Sequence, residues 1–178
     1  MNKLVKLSTV TVVVTMLSVT TIDTAMSFCG HAITVEASKK SKPKEKRKMV
    51  NNAIALELQQ DQGLAQGSLD ENLEPTDNGT TDPDFAWAML VTKIKYTSTD
   101  DLAMYVTPDF MNLSKSDKTQ VARYAQSTAF SVLGYHYKEW EDSYDRPYMR
   151  IYETSGDDPF PIGRSKALET GKFTFETE

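Results

Sequence analysis

Gly134 marks a change of hydrophobic period, and that change constrains the fold more than any other feature of the chain. Before it, apolar residues recur at helical spacing; beyond it, they alternate. Val121, Tyr124, Ala125, Thr128, Ala129 and Val132 share one face of a helix over Lys115 to Leu133, entered through a cap at Ser114-Lys115-Ser116-Asp117 and stopped by Gly134. Three runs then read as strands: Tyr135 to Tyr144, Tyr148 to Thr154 and Ala167 to Glu176. Asp145-Arg146-Pro147 makes a tight turn between the first two, and Ser155 to Arg164, with two prolines and two glycines, reads as a wider loop. Helices followed by strands give an α+β fold: N-terminal helices packed on a small antiparallel sheet, three or four strands in a meander.

Upstream, Asp82-Pro83 has the chemistry of a helix entrance, because Asp caps free amides and proline has none to satisfy. Trp87, Leu90, Val91 and Ile94, widened by Phe85 and Met89, form its apolar stripe. Ser98-Thr99-Asp100-Asp101 resembles a capping box opening a short helical piece through Leu102, Tyr105 and Val106, and Thr107-Pro108 restarts the chain. Met49 to Gln62 reads as a short amphipathic helix ended by Gly63. Gly63 to Asp84, with six acidic residues, no basic ones, three glycines and two prolines, reads as a linker of little fixed structure. Asp70, Asn72, Glu74 and Asp77 lack the glycine turn and closing glutamate of a calcium loop.

The first residues carry an export pattern. Lys3 and Lys6 precede the uncharged stretch Ser8 to Ile22, closed by Asp23; 15 residues rich in Ser and Thr are too few to span a bilayer core, which needs about 20. Val35-Glu36-Ala37 offers small residues for cleavage before Ser38, with Gly30-His31-Ala32 the second choice. Bulky Phe28 argues against lipid attachment at Cys29. The expected organisation is a signal peptide over 1–37, a basic leader, short helix and acidic linker over 38–84, and an α+β domain over 85–178. The protein is expected to be secreted, with no transmembrane anchor after cleavage. Cys29 is the only cysteine, so a chain cut at Ala37 forms no internal disulfide, and with His136 the one remaining histidine, no metal site or cofactor is implied.

Charge is split along the chain. Ser38 to Val50 (SKKSKPKEKRKMV) carries net +6, and Asn51 onward carries net −11, within an overall −5. Lys39, Lys40, Lys42, Lys44, Lys46, Arg47 and Lys48 repel one another, so this segment should be disordered or a loose helix entrance. Its functional reading is binding to an anionic cell-envelope surface, its bland one a solvated leader. Nucleic acid is disfavoured as a partner because the folded part carries the wrong sign.

Ala86-Trp87-Ala88-Met89-Leu90-Val91, Asp101-Leu102-Ala103-Met104-Tyr105-Val106 and Pro108-Asp109-Phe110 resemble in order and patterning the NTF2-like, cystatin-like α+β superfamily, over about residues 83–178. The leader ending in TVEAS resembles those of exported Gram-positive bacterial proteins. The superfamily resemblance implies helices over a sheet and leaves function open among enzymes, ligand binders and interaction modules.

Tyr135, Tyr137, Trp140, Tyr148 and Tyr152 are the candidate partner- or ligand-binding residues, since rings on a sheet face offer contact area and hydroxyls. Most of the strand-half rings should be core and cross-strand pairs. His136 with Asp142, Asp145 or Asp157 has the residue types of a base and its orienting carboxylate, but in an alternating strand it shares a face with Lys138 and Trp140 and reads as a surface residue. No nucleophile elbow or phosphate-gripping loop occurs, so no catalytic residue is assigned. The reading is a secreted or envelope-associated, non-enzymatic module that binds a protein or small ligand. One alternative is a small NTF2-like enzyme using His136 or a carboxylate between helix and sheet. The other is a structural envelope protein held by its lysine-rich leader.

Overall fold

The computed structural model describes residues 43–141, 146–155 and 158–176; the export segment, its cleavage sites and Lys39, Lys40 and Lys42 lie outside them. Helix α1 (Pro43–Gln66) begins inside the lysine-rich segment. Val50, Ile54 and Leu58, four residues apart and all buried, anchor it strongly enough to carry the basic turn into helix. The stop is Gly67 rather than Gly63. Gly67 takes φ +69°, its amide bonds Leu64 O at 3.1 Å, and the Ser68 amide bonds Gly63 O at 2.9 Å, the pairing of a left-handed helix end. Gly63 lies inside the helix with the Leu69 side chain folded over it; a Cβ there would stand 2.5 Å from Leu69 Cδ1. The acidic stretch after it is held too: Leu69 bridges Pro75, and the Asp70 carboxylate accepts the amides of Asn72 (2.8 Å) and Glu74 (3.0 Å).

Asp82 caps a 3₁₀ helix over Pro83–Leu90, accepting the Asp84 amide at 3.0 Å. The helix expected to continue through Ile94 gives way to strand β1 (Val91–Tyr96), and the expected helical piece after Ser98 is strand β2 (Leu102–Val106). The two form a hairpin, with Asp100 at φ +58° and the Thr97 amide bonded to Asp101 O at 2.8 Å. Ser98 to Asp101 is therefore a turn; Ile94, Tyr96, Leu102, Met104 and Val106 are buried at a period of two, and that packing wins over the capping-box spacing.

A second 3₁₀ helix, Pro108–Asn112, seats Phe110 in the core, and helix α2 (Lys115–His136) starts where Ser114 accepts the Asp117 amide at 3.2 Å. It runs through Gly134, so the strand expected over Tyr135 to Tyr144 is instead, over its described part to Glu141, the last turn of α2 and the single turn α3 (Lys138–Glu141). Leu133 is fully buried and its carbonyl accepts the Tyr137 amide at 2.8 Å; the Tyr137 ring lies 5.6 Å from Tyr96 and Trp140 lies 6.1 Å from Phe130. The Trp140–Phe130 pair holds the segment against α2, and the Tyr137–Tyr96 pair packs it on the end of β1.

Strands β3 (Met149–Glu153), β4 (Phe160–Lys166) and β5 (Glu169–Phe175) complete a sheet in chain order β1-β2-β3-β4-β5. It has five strands and is mixed: β2 and β3 run parallel, because α2 and α3 form a crossover between them, and the other neighbours are antiparallel. Strand β4 begins inside the stretch expected to be loop, Ser155 to Arg164, and runs past it to Lys166. Gly163 is required there, since a Cβ would meet Phe175 Cδ1 at 2.8 Å and Thr174 O at 2.9 Å.

One face of the sheet is the core. Met104, Met149, Ile151, Phe173 and Phe175 join Ala122, Ala125 and Ala129 of α2 in one buried cluster. Fully buried Gln126 ties α2 to the sheet through Nε2 bonds to Pro147 O (2.9 Å) and Thr170 O (3.0 Å). Helix α1 closes the outer edge of β1. Asn51 Nδ2 donates to Tyr96 O at 3.0 Å and Asn51 Oδ1 accepts the Tyr96 amide at 2.6 Å, while Gln62 Nε2 donates to Val91 O at 2.8 Å. Asn51 to Gln62 along a helix and Val91 to Tyr96 along a strand both span about 16 Å, so the two amides reach opposite ends of the edge. An edge strand that would otherwise template pairing with another chain is thereby covered.

Candidate binding face

The face of the sheet turned away from the helices carries two rows of side chains at right angles to the strands. Cross-strand partners Lys93, Tyr105, Tyr152 and Pro161 form one row. Lys95, Ala103, Arg150, Arg164 and Thr174 form the other, from β1 to β5, about 19 Å across four strand gaps. Lys93, Lys95, Arg150 and Arg164 are exposed, and neither row contains an acidic residue. Tyr105 and Tyr152 stack at 5.4 Å with their planes 22° apart, and Lys93 Nζ lies 5.9 Å from the Tyr105 ring centre. Ala103, beside this wall of rings, is small and buried among its neighbours. Arg150 and Arg164 stand directly opposite each other; Arg150 meets Asp101 at 3.3 Å, whereas no described carboxylate pairs with Lys93, Lys95 or Arg164. On a chain of net −5 this face is positive because the strand alternation sorts basic side chains to one side.

The five expected aromatic residues are divided by the fold. Tyr152 stands at the centre of the open face. Tyr148, just before β3, keeps the same alternation, with the Arg150 guanidinium carbon 5.9 Å from its ring. Tyr137 and Trp140 belong to the helical layer. Trp140 Nε1 donates to Tyr96 Oη at 3.3 Å, and that hydroxyl donates to Asp100 Oδ1 at 2.7 Å; burial, together with the Asp100 carboxylate, pushes the Tyr96 phenol up to about 12. Tyr135 is 85% exposed on α2, away from the others. Sequence reasoning missed Lys93, Lys95, Tyr105, Arg150 and Arg164. The usable signal was the pair of short β-rich runs at Val91–Tyr96 and Leu102–Val106, which as strands put Lys93, Lys95 and Tyr105 on one side.

His136 is half-buried in the last turn of α2. Burial and then the Lys46 ammonium hold its imidazole below the ordinary histidine range, and its ring meets Tyr135 edge-on at 5.1 Å. Its described charged neighbour is thus a lysine; Asp142, Asp145 and Asp157 lie outside the described residues. Among the basic leader residues, Lys46 Nζ sits 3.9 Å from the Tyr137 ring centre and Arg47 is half-buried, leaving Lys44 and Lys48 exposed. A shallow depression of about 650 Å³ runs beside α2, bordered by Thr119, Arg123, Tyr124 and Arg146. Among the described residues no cluster of His, Cys, Asp or Glu could hold a metal, and no helix is long and apolar enough to cross a membrane. No protein-family model, curated protein or solved structure matches the chain.

Proposed function

We propose that this is a secreted or envelope-associated binding module, without catalysis, whose working surface is the open face of the sheet. The observation that carries the reading is the stacked Tyr105 and Tyr152 pair standing beside Lys93, Lys95, Arg150 and Arg164 on a face that no described element covers. Paired rings give a rigid contact surface at small entropic cost, and exposed cations beside them add direction and speed to encounter. Export is supported by Lys3, Lys6 and the apolar run from Ser8 to Ile22.

The test is retention on cell-envelope preparations from the producing organism. Tyr105→Ala with Tyr152→Ala, checked for unchanged folding, is expected to lower retention at least five-fold, while Tyr135→Ala leaves it alone. Equal retention of all three proteins contradicts the proposal, and so does substrate turnover that is lost on His136→Ala.

A further inference from the structure

Resting on that reading of the open face, we infer that its ligand is a linear phosphodiester polymer lacking bases, lying across the strands along the row from Lys95 to Arg164. Four features converge. The row sets Lys95, Arg150 and Arg164 across about 14 Å with only the small, buried Ala103 between the first two, which gives a track of positive charge interrupted by no bulky or acidic side chain. Guanidinium groups suit phosphate because they grip two oxygens at once. Arg150 and Arg164 face each other directly, a like-charge placement that costs stability unless an anion lies between them. Asp101 neutralises Arg150 in part, whereas Arg164 has no described carboxylate partner.

The wall of rings narrows the chemistry further. Tyr105 and Tyr152 are stacked on each other, with Lys93 5.9 Å from the centre of the Tyr105 ring and Pro161 next to Tyr152 in the row, so ring surface that a base would stack on is taken up within the row. That disfavours single-stranded nucleic acid. A polymer of phosphates and small polyols needs only cations and hydroxyl donors. The chain's own Lys39 to Lys48 segment has the wrong sign to fill the track.

The test is binding of synthetic poly(glycerol phosphate) to the protein recovered from its producing cells, across a range of salt. Wild type is expected to bind with a strong salt dependence. Arg150→Gln with Arg164→Gln should lose at least ten-fold in affinity, and its slope of log K against log salt should flatten by about 1.4, near 0.7 for each phosphate no longer neutralised. Lys93→Gln with Lys95→Gln should lose several-fold, and Lys138→Gln on α3 nothing; urea midpoints verify that each variant is folded. Equal affinity of the arginine variant, tighter binding of oligothymidylate or poly-L-glutamate, or self-association abolished by the arginine changes would each overturn the inference. If the polymer fails to bind while the arginine variant still loses envelope retention, the ligand class is wrong and the working face stands; if retention is also unchanged, both fall.

Discussion

Replacing Asn51 by alanine removes both side-chain bonds that close the Tyr96 end of β1, the 2.6 Å acceptance and the 3.0 Å donation. Each bond contributes about 0.5–1.5 kcal/mol net, and a backbone group left without a partner away from water costs about 1–3 kcal/mol. Alanine is the better helix former, which returns about 0.6 kcal/mol on α1. The balance is a loss of about 2 kcal/mol. Gln62→Ala opens the other end of the same edge and should cost about 1 kcal/mol, since its stronger bond is the one to Val91 O at 2.8 Å. The two positions are about 16 Å apart along the helix and share no partner, so the double variant should be additive to within about 0.5 kcal/mol. Urea unfolding measures both changes as a lowered midpoint at unchanged slope, and light scattering should show the double variant associating through the bared edge. An Asn51→Ala protein within about 0.5 kcal/mol of wild type would refute the edge-closing role, because so small a loss is ordinary for a surface substitution.

Burial, then the Glu57 charge, raise Asp61 to about 6, against a weak 3.4 Å bond from Thr128. Because the folded carboxyl holds its proton more tightly than the unfolded one, the stability of the neutral form is present at pH 4 and lost as pH rises through about 6. Asp61→Asn should thus match wild type at pH 4 and exceed it by about 1 kcal/mol at pH 7.5, the full shift being cut down because the group is half exposed. Gly163→Ala forces a Cβ against Phe175 and should cost about 1–3 kcal/mol in thermal or urea unfolding. Trp140→Phe loses the bond to Tyr96 and should cost about 1 kcal/mol with envelope retention unchanged, since the ring belongs to the helical layer. Protein collected outside the cells is expected to begin at Ser38, or at Ile33 if the second site is used; intact Met1 in that material, read by mass spectrometry, would contradict export by cleavage.

What the sequence conveyed best was local chemistry at element starts. Asp82 before Pro83 and Ser114 before α2 cap where their side chains said they would, and β3 and β5 fall within alternating runs. What it concealed depended on distant partners. Strands β1 and β2 have apolar residues that also satisfy helical spacing, and only their pairing and burial on the sheet decide between the two periods. Tyr135 to Tyr144 alternates on paper, yet as far as Glu141 the burial of Leu133 and the packing of Trp140 on Phe130 and Tyr137 on Tyr96 keep the chain helical. Strand β4 hides behind Pro159, Pro161 and Gly163, although Gly163 is there to admit Phe175. The positive face could not be seen from net charge, because β1 supplies lysines and β3 and β4 arginines to rows assembled only by the crossover through α2.

Lysine accessibility on the envelope tests the working face most directly. The protein is methylated at its amines before and after binding to envelopes, and each site is quantified by mass spectrometry. Protection of Lys93 and Lys95, with Lys44 and Lys48 still reactive, is the predicted result. Protection confined to Lys44 and Lys48, or to none of the four, would contradict it.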